Sequence, residues 1–274
     1  MQLEIHHLSI YAYEDPVFLE PQHLYFRPQH RSYLKLLNFQ FDIFPQPSIL
    51  SERLDAENNS YYQLWYDGNV SKVEINARMK LELSPFNPFD FLEEEEGKKM
   101  EVQFLTLYLT KEQISTNLIE WFSQIHNQSD RLITFLSTIC DKIHQDWDHQ
   151  VRYENTLLSP GDCFLGKKGS CRDLSWMLIQ ALRHLNIPAR FVSGYSFNPD
   201  LGEGHELHAW VEAYVYGAGW VGLDPSSGLF VTNHYIPVAT SHHPFNTLPV
   251  QGTYRGDAKS SLETSVHIKL LSNE

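Results

Sequence analysis

One helix constrains the fold more than any other part of the sequence. It follows a glycine-rich loop, begins at Cys171 and ends before Pro188, since the residue that precedes a proline disfavours helical geometry. Ser170 and Asp173 have the form of an N-cap and a carboxylate that reaches back to it. Its apolar residues recur at helical spacing along one face: Leu174, Met177, Leu178, Ala181, Leu182 and Leu185. The pattern predicts an amphipathic helix that packs on a core and carries Cys171 in its first turn.

The position of Cys171 favours an ionised thiol. Free N–H groups and the positive end of the helix dipole stabilise an anion at a helix N-terminus, so the pKa of a thiol falls toward neutrality there. Lys167 and Lys168 lie just upstream and act in the same direction. Because the thiolate is the nucleophilic form, Cys171 is a candidate nucleophile, and a packing residue is the alternative.

A cysteine nucleophile needs a base, and the base needs a third group that fixes its tautomer. Downstream, His208 begins a predicted strand, and Asp224 ends the next strand after the turn "YGAG". For Asp224 to lie opposite His208, the turn must be centred on Tyr216, which requires a loop of three or five residues, or a bulge. A triad of Cys171, His208 and Asp224 therefore predicts an odd-numbered loop.

The other cysteines have ordinary explanations. Cys140 lies beside an apolar helical stripe and is predicted to be a small buried hydrophobe. Cys163 is predicted to lie in a loop, where it is a bystander or, eight residues upstream of Cys171, one half of a regulatory disulfide. A zinc site built from His205, His208 and either Cys163 or Cys171 is the alternative chemistry, but no paired CxxC or HExxH pattern supports it. We expect neither a metal ion nor a cofactor. Three cysteines are also too sparse for a disulfide scaffold.

The first part of the chain has the pattern of a β domain. Aromatic and β-branched residues with partial alternation, separated by turn signals, predict strands at 3–13, 33–45, 61–83 and 101–109. The segment Thr110-Lys111-Glu112-Gln113 then has the form of a capping box and predicts a helix that extends to about His126. We therefore place an antiparallel β-sandwich domain at 1–108 and an α+β domain at 109–274.

Composition excludes several classes of partner. A chain of 274 residues with 42% hydrophobic residues is globular, and its formal net charge of −13 without a basic stripe disfavours binding to nucleic acid. The sequence contains no run of 18 apolar residues and no basic leader followed by an apolar block. We therefore expect no membrane span, no secretory signal and a cytoplasmic location.

The residues around the three candidates resemble the transglutaminase-like superfamily, in particular its bacterial members named as cysteine proteases. The stretch "GSCRDLSWMLIQALRHLNIPARFVSGY" is similar to the family's cysteine motif with its helix and following strand. The stretch "HAWVEAYVYGAGWVGLDPSSG" is similar to its His and Asp motifs. Nearer the start, "YAYEDPVFLEPQHLYFRPQ" resembles the β-rich N-terminal domain that precedes the core in these bacterial proteins.

The resemblance implies a papain-like core with Cys171 as nucleophile, His208 as general base and acid, and Asp224 as the orienting carboxylate. It implies acyl transfer on a peptide or glutamine-type amide through a thioester, with a peptide or protein as substrate. Hydrolysis is the expected outcome; transamidation and a non-enzymatic binding protein on the same fold are the alternatives. Nothing in the sequence resembles the acidic calcium loops of animal transglutaminases, so calcium dependence is not expected.

Overall fold

The computed structural model describes residues 1–94, 103–152, 156–198 and 207–271. Two antiparallel sheets make up its N-terminal part. The larger sheet contains β1 (Gln2–Leu19), β3 (Leu34–Phe44), β6 (Val70–Leu83), β15 (Tyr254–Arg255) and β16 (Ser260–Leu271). The smaller sheet contains β2 (Gln22–Leu24), β4 (Ile49–Leu54), β5 (Ser60–Trp65) and β14 (Val250–Gln251). Neighbouring strands run β15-β1-β6-β3, with β16 also paired to β1, and β14-β2-β5-β4.

A shared apolar core joins these two sheets. Alternate residues of β6 point inward, because successive side chains of a strand face opposite sides of the sheet: the buried ones are Val73, Ile75, Ala77, Met79, Leu81 and Leu83. Leu24 of β2 and Leu64 of β5 belong to the same cluster and come from the other sheet. The predicted antiparallel β-sandwich is confirmed.

The strands predicted at 3–13, 33–45 and 61–83 are present, the last divided into β5 and β6 by the turn at Asp67-Gly68-Asn69. The strand predicted at 101–109 is wrong. Residues 101–102 lie outside the described residues, and Thr106–Leu109 form a short 3-10 helix. Its Tyr108 ring packs against Trp220 at 4.8 Å between centroids, so this apolar segment contacts the core domain instead of extending a sheet.

Within the described residues, the second part of the molecule contains α-helices and a five-stranded sheet. The helices are α1 (Thr116–Asn127), α2 (Leu132–Asp146), α3 (Pro160–Gly166) and α4 (Cys171–His184). The sheet has the order β12-β11-β10-β9-β13, with β9 (Ala189–Ser196), β10 (Leu207–Val215), β11 (Gly219–Asp224), β12 (Leu229–Phe230) and β13 (Tyr235–Ser241). A 3-10 turn follows at Pro244–Thr247, and β7 (Asp148–His149) pairs in parallel with β8 (Lys168–Gly169). Within the described ranges, no helix is long and apolar enough to cross a membrane.

The helix predicted from Thr110 starts later than its capping pattern indicates. Helix α1 begins at Thr116, after a non-helical Ser115. The residues before it are tied to α4 instead: the backbone N–H of Glu112 donates to Gln180 at 2.8 Å, and Arg183 donates to the Thr110 carbonyl at 2.9 Å. These tertiary bonds outcompete the local capping box.

The central strand β10 presents two different faces. Its alternate residues Ala209, Val211 and Ala213 pack into the core cluster that contains the apolar face of α4. Trp210 and Glu212 point to the opposite side, where Trp210 packs with Val231 and Tyr235 and Glu212 pairs with Arg31 of the N-terminal part. Helix α4 is therefore buried on the sheet, and its first residue emerges at the end of the sheet near the start of β10.

Polar contacts join the β-sandwich to the core domain. Arg31 forms a 3.0 Å ion pair with buried Glu212, the Tyr33 hydroxyl donates to the Tyr235 carbonyl at 3.0 Å, and the Gln29 N–H donates to the Pro237 carbonyl at 2.8 Å. The chain also returns to the sandwich at its end, where β14, β15 and β16 pair with β2 and β1. The boundary near 108 stays a prediction, while these late strands, assigned by sequence to 109–274, lie in the N-terminal sheets.

Candidate active site

Cys171 is the first residue of α4, and its helix start is built as the sequence predicts. The Ser170 N–H and hydroxyl both donate to Asp173 Oδ2, at 2.9 and 2.7 Å, which completes the capping box. Asp173 also accepts from Arg152 at 2.7 Å and from the Leu158 N–H at 2.8 Å. Burial opposes ionisation of Asp173, but these bonds lower its pKa. The carboxylate thus fixes the N-terminus of α4 to the preceding loop.

The β10–β11 hairpin has the odd loop that the triad requires, although its centre differs from the predicted one. The register pairs Val215 with Gly219, so three residues form the loop and Gly217 is at its centre instead of Tyr216. Gly217 has φ +90°, a left-handed conformation that glycine adopts without strain, and a Cβ there would lie 2.1 Å from the Leu92 carbonyl oxygen. His208 and Asp224 are consequently diagonal neighbours on one face instead of direct partners.

The diagonal arrangement still joins the imidazole to the carboxylate. His208 Nε2 lies 2.8 Å from Asp224 Oδ2. Asp224 is 1% exposed and accepts three further bonds, from the Ser226 N–H at 3.0 Å, the Ser226 hydroxyl at 2.6 Å and the Tyr235 hydroxyl at 2.8 Å. These donors hold Asp224 in place, so the carboxylate can orient the His208 ring.

Cys171 and His208 shift each other's protonation. Burial disfavours the thiolate, but hydrogen bonds from His149 and His208, the charge of His208 and the Ala209 N–H lower the pKa of Cys171 to about 6. Burial likewise disfavours the imidazolium, yet the charge and hydrogen bond of Asp224, together with Cys171, raise the pKa of His208 to about 10. His208 in turn holds the pKa of Asp224 below its usual range against the effect of burial. Near neutral pH the resting site is a thiolate–imidazolium pair backed by a carboxylate.

A second histidine, which the sequence analysis missed, also contacts the sulfur. His149 hydrogen-bonds Cys171, and this bond raises the pKa of the imidazole. The residue reaches the site because β7 pairs in parallel with β8, which places His149 beside Gly169, two residues before the nucleophile. In the sequence His149 has no periodic or motif signal, since its neighbourhood depends on a pairing between segments some twenty residues apart.

The other candidate residues do not enter the site. Cys140 is buried with its thiol 3.7 Å from the Leu229 carbonyl. The loop predicted around Cys163 is wrong: the residue lies in α3, where its free thiol is buried in the same core. Burial raises the pKa of both thiols, to about 12 for Cys163. His205, one ligand of the zinc alternative, lies outside the described residues. Within the described ranges, no group of three or more His, Cys, Asp or Glu residues is arranged to hold a metal ion.

Comparisons with known families match both parts of the molecule. Residues 120–225 match the transglutaminase-like superfamily core, and residues 3–82 match the bacterial transglutaminase-like N-terminal region. The first match contains Cys171, His208 and Asp224. The second covers most of the β-sandwich strands that precede the core.

Individual relatives agree with these matches. The chain is 32% identical to an uncharacterized protein of Mycobacterium leprae over 38% of each chain, and 26% identical to one of Mycobacterium tuberculosis over 60% of this chain and 55% of that one. It therefore spans less than two thirds of the length of these relatives. A crystal structure from Cytophaga hutchinsonii described as a "Putative Cysteine Protease" shares the fold, with a TM-score of 0.78, 18% identity, and coverage of 100% of this chain and 92% of the other. The chain belongs to the transglutaminase-like superfamily and carries the bacterial transglutaminase-like N-terminal region in front of its core.

Proposed function

We propose that this protein is a cysteine-dependent acyl-transfer enzyme that cleaves a peptide or glutamine-type amide through a thioester on Cys171. One observation carries the proposal. The Cys171 thiol, at the start of α4, hydrogen-bonds His208, whose other ring nitrogen lies 2.8 Å from the buried Asp224 carboxylate. Nucleophile, base and orienting group thus occur in one continuous chain of hydrogen bonds.

The first half-reaction follows from this arrangement. The thiolate attacks the amide carbonyl carbon, a C–S bond forms, and the carbonyl electron pair moves to oxygen. We assign the stabilisation of this oxyanion to backbone N–H groups at the start of α4, including that of Cys171, because these donors have no partner within the helix. When the tetrahedral adduct collapses, the C–N bond breaks and the His208 imidazolium gives its proton to the departing amine. A thioester and a neutral imidazole remain.

The second half-reaction regenerates the enzyme. Neutral His208 removes a proton from water as the water oxygen attacks the thioester carbon, and the C–S bond breaks to return the thiolate and the imidazolium. Asp224 keeps the imidazolium favourable throughout, because its carboxylate is buried and ionised beside the ring. An amine in place of water would give transamidation by the same steps.

We favour water as the acceptor. The description of the Cytophaga hutchinsonii neighbour as a cysteine protease supports hydrolysis. A glutamine-containing peptide offered together with dansylcadaverine separates the two outcomes. Release of ammonia or of a new peptide N-terminus without incorporation of the dansyl group is the result expected for a hydrolase, whereas labelled peptide identifies a transamidase.

The test of the site itself is the pH dependence of Cys171 alkylation by iodoacetamide. All variants carry Cys140→Ser and Cys163→Ser, so that only Cys171 reacts. Because the pKa of Cys171 is about 6, the wild-type rate should stay at its plateau down to about that pH. His208→Ala removes the imidazolium and should move the midpoint toward about 8.5, the value of a free thiol. A wild-type midpoint near 8.5 that ignores His208→Ala would contradict the enzyme and leave a binding protein on this fold.

A further inference from the structure

Two imidazoles contact one sulfur atom in this site, and they are held differently. His208 is oriented by Asp224, whose Oδ2 lies 2.8 Å from the His208 Nε2. The imidazole of His149 is hydrogen-bonded to the Cys171 sulfur instead. In the described part of the chain, no carboxylate hydrogen-bonds His149. A histidine without a carboxylate partner is poorly suited to take and return the proton of the leaving amine. The two rings are therefore not equivalent, and the mechanism above uses only His208.

The position of His149 is set by rigid neighbours. The Asp148 N–H donates to the Lys167 carbonyl at 2.9 Å, and the Gln150 N–H donates to the Gly169 carbonyl at 2.9 Å, so His149 is held on both sides. Two residues earlier, Trp147 is 4% exposed and its indole N–H donates to the Cys163 carbonyl at 3.0 Å. The Lys167 ammonium lies 3.2 Å from the centre of that indole ring, and this cation–π contact joins the residues next to β7 and β8. His149 thus projects from a fixed strand beside the start of α4.

This position coincides with the place where charge develops during acyl transfer. When the thiolate attacks, sulfur becomes neutral and the negative charge moves to the carbonyl oxygen, which is bonded to the carbon that sulfur has just joined. A donor that faces the resting thiolate therefore lies close to the new oxyanion. The backbone N–H of Cys171 is available as a second donor, because the first N–H groups of a helix have no partner within the helix.

We propose that His149 is a second catalytic histidine, whose ring N–H donates to the resting Cys171 thiolate and then, with the Cys171 backbone N–H, to the oxyanion of the tetrahedral adduct. The inference rests on the proposed acyl transfer at Cys171. It assigns the side-chain donor of the oxyanion site, for which sequence reasoning offered no candidate. No proton leaves His149 in the cycle; the ring acts as a hydrogen-bond donor while His208 carries out proton transfer.

Two reagents separate this role from simple support of the thiolate. Iodoacetamide is attacked at a saturated carbon and forms no oxyanion, whereas 4-nitrophenyl acetate is attacked at a carbonyl carbon and does. The variants are His149→Gln, which keeps an N–H donor, and His149→Leu, which has similar size and no donor. Both are made in the Cys140→Ser, Cys163→Ser background and measured at about pH 8.5–9, where both variants approach the alkylation plateau. His267→Ala on β16, an exposed histidine of the distant sandwich sheet, is the control.

We expect His149→Leu to lower the rate of Cys171 acetylation about 100-fold, the usual loss for one oxyanion donor, while plateau alkylation changes less than about 3-fold. His149→Gln should retain acetylation within about 10-fold of wild type, and His267→Ala should match wild type with both reagents. Equal losses with the two reagents, or acetylation that does not distinguish Gln from Leu, would overturn the role of His149. Failure of the proposed function looks different: the alkylation midpoint of wild-type Cys171 would then lie near 8.5, the value of a free thiol, and His208→Ala would leave both that midpoint and the acetylation rate unchanged.

Discussion

Two histidines lie next to strand β9 and are held in opposite protonation states. His208 is the second residue of β10 and pairs with Gly194 of β9, while His7 of β1 contacts the next residue of β9, Tyr195. Burial acts on both rings in the same direction, toward the neutral form. Even so, the pKa of His208 rises to about 10, whereas burial and the nearby charge of His6 lower the pKa of His7 to about 4.

The difference lies in the charge of the partners. His7 has neutral partners: the Tyr195 hydroxyl at 2.9 Å on Nδ1, with the Thr264 hydroxyl at 3.1 Å and the Ser9 hydroxyl at 3.0 Å on Nε2. His208 has the buried carboxylate of Asp224. Hydroxyl groups hydrogen-bond a neutral imidazole as well as a charged one, so they do not offset the free-energy cost of desolvating an imidazolium. A carboxylate does offset that cost, because it attracts the charged form. The hydroxyl partners therefore keep the sandwich histidine neutral, and the carboxylate keeps the core histidine charged.

The largest effect should follow from removing the charge of Asp224 without removing its bulk. In Asp224→Asn the His208 imidazolium loses its counter-ion, its pKa falls, and the Cys171 thiolate loses its partner. We expect the rate of Cys171 acetylation by 4-nitrophenyl acetate at pH 7 to fall roughly 10⁴-fold, as when the carboxylate of a Ser-His-Asp triad becomes an amide.

The matched control for that variant is Ser226→Ala. It removes a 2.6 Å hydrogen bond to Asp224 Oδ1 and leaves the negative charge in place. We expect acetylation within about 10-fold of wild type, because the main interaction is with the charge and not with this one donor. Similar losses in Asp224→Asn and Ser226→Ala would show that geometry alone, not charge, distinguishes His208 from His7.

A smaller effect should appear in the stability of the sandwich at acid pH. The pKa of His7 is about 4 in the folded protein, whereas an unfolded histidine titrates near 6.5. The free energy of unfolding is therefore unaffected by this group above about pH 6.5, and it decreases as the pH falls toward 4, because the unfolded state then binds a proton that the folded state does not. Wild type should lose about 2 kcal/mol from this group between about pH 7.5 and 5. His7→Gln has no such group and should not show this loss. The difference in the free energy of unfolding between wild type and His7→Gln, measured in urea, should therefore decrease by the same amount between about pH 7.5 and 5. A constant difference across this range would contradict the neutral state of His7.

A structural feature of this protein could be predicted from sequence when the residues that determine it lie close together in the chain. The start of α4 was predictable, because Ser170 and Asp173 form the cap within a single turn. The odd loop of the β10–β11 hairpin was predictable as well, but not its centre. Gly217 occupies that centre with the Leu92 carbonyl packed where a side chain would be, and the Glu94 N–H donates to the Tyr216 carbonyl at 2.8 Å. A segment more than a hundred residues away thus fixes the register.

The elements that sequence missed are those without a local pattern. β16 shows only two buried residues, Val266 and Ile268, in twelve positions, so its alternation is too weak to predict a strand that pairs along β1. His149 is similar: a lone histidine between polar residues has no signal until β7 pairs with β8. Within the candidate site, the three motif residues were therefore predicted from sequence, whereas the second histidine required the structure.

The sharpest test of the comparison is to give His7 the partner that His208 has. Thr264→Asp places a carboxylate where a hydroxyl lies 3.1 Å from His7 Nε2. An opposite charge at such a distance should raise the pKa of His7 by about 1–3 units, which NMR titration of the ring protons measures directly, with His7→Gln to assign the signal.

Ser265→Asp is the control for Thr264→Asp, because the neighbouring residue of β16 points to the other face of the sheet and adds the same charge away from the ring. It should leave the pKa of His7 near 4. If Thr264→Asp also leaves it there, partner charge does not explain why the two histidines differ, and the depth of each ring in the core must be the deciding factor. If the pKa of His7 rises, a single carboxylate is enough to turn a structural histidine of this fold into a charged one.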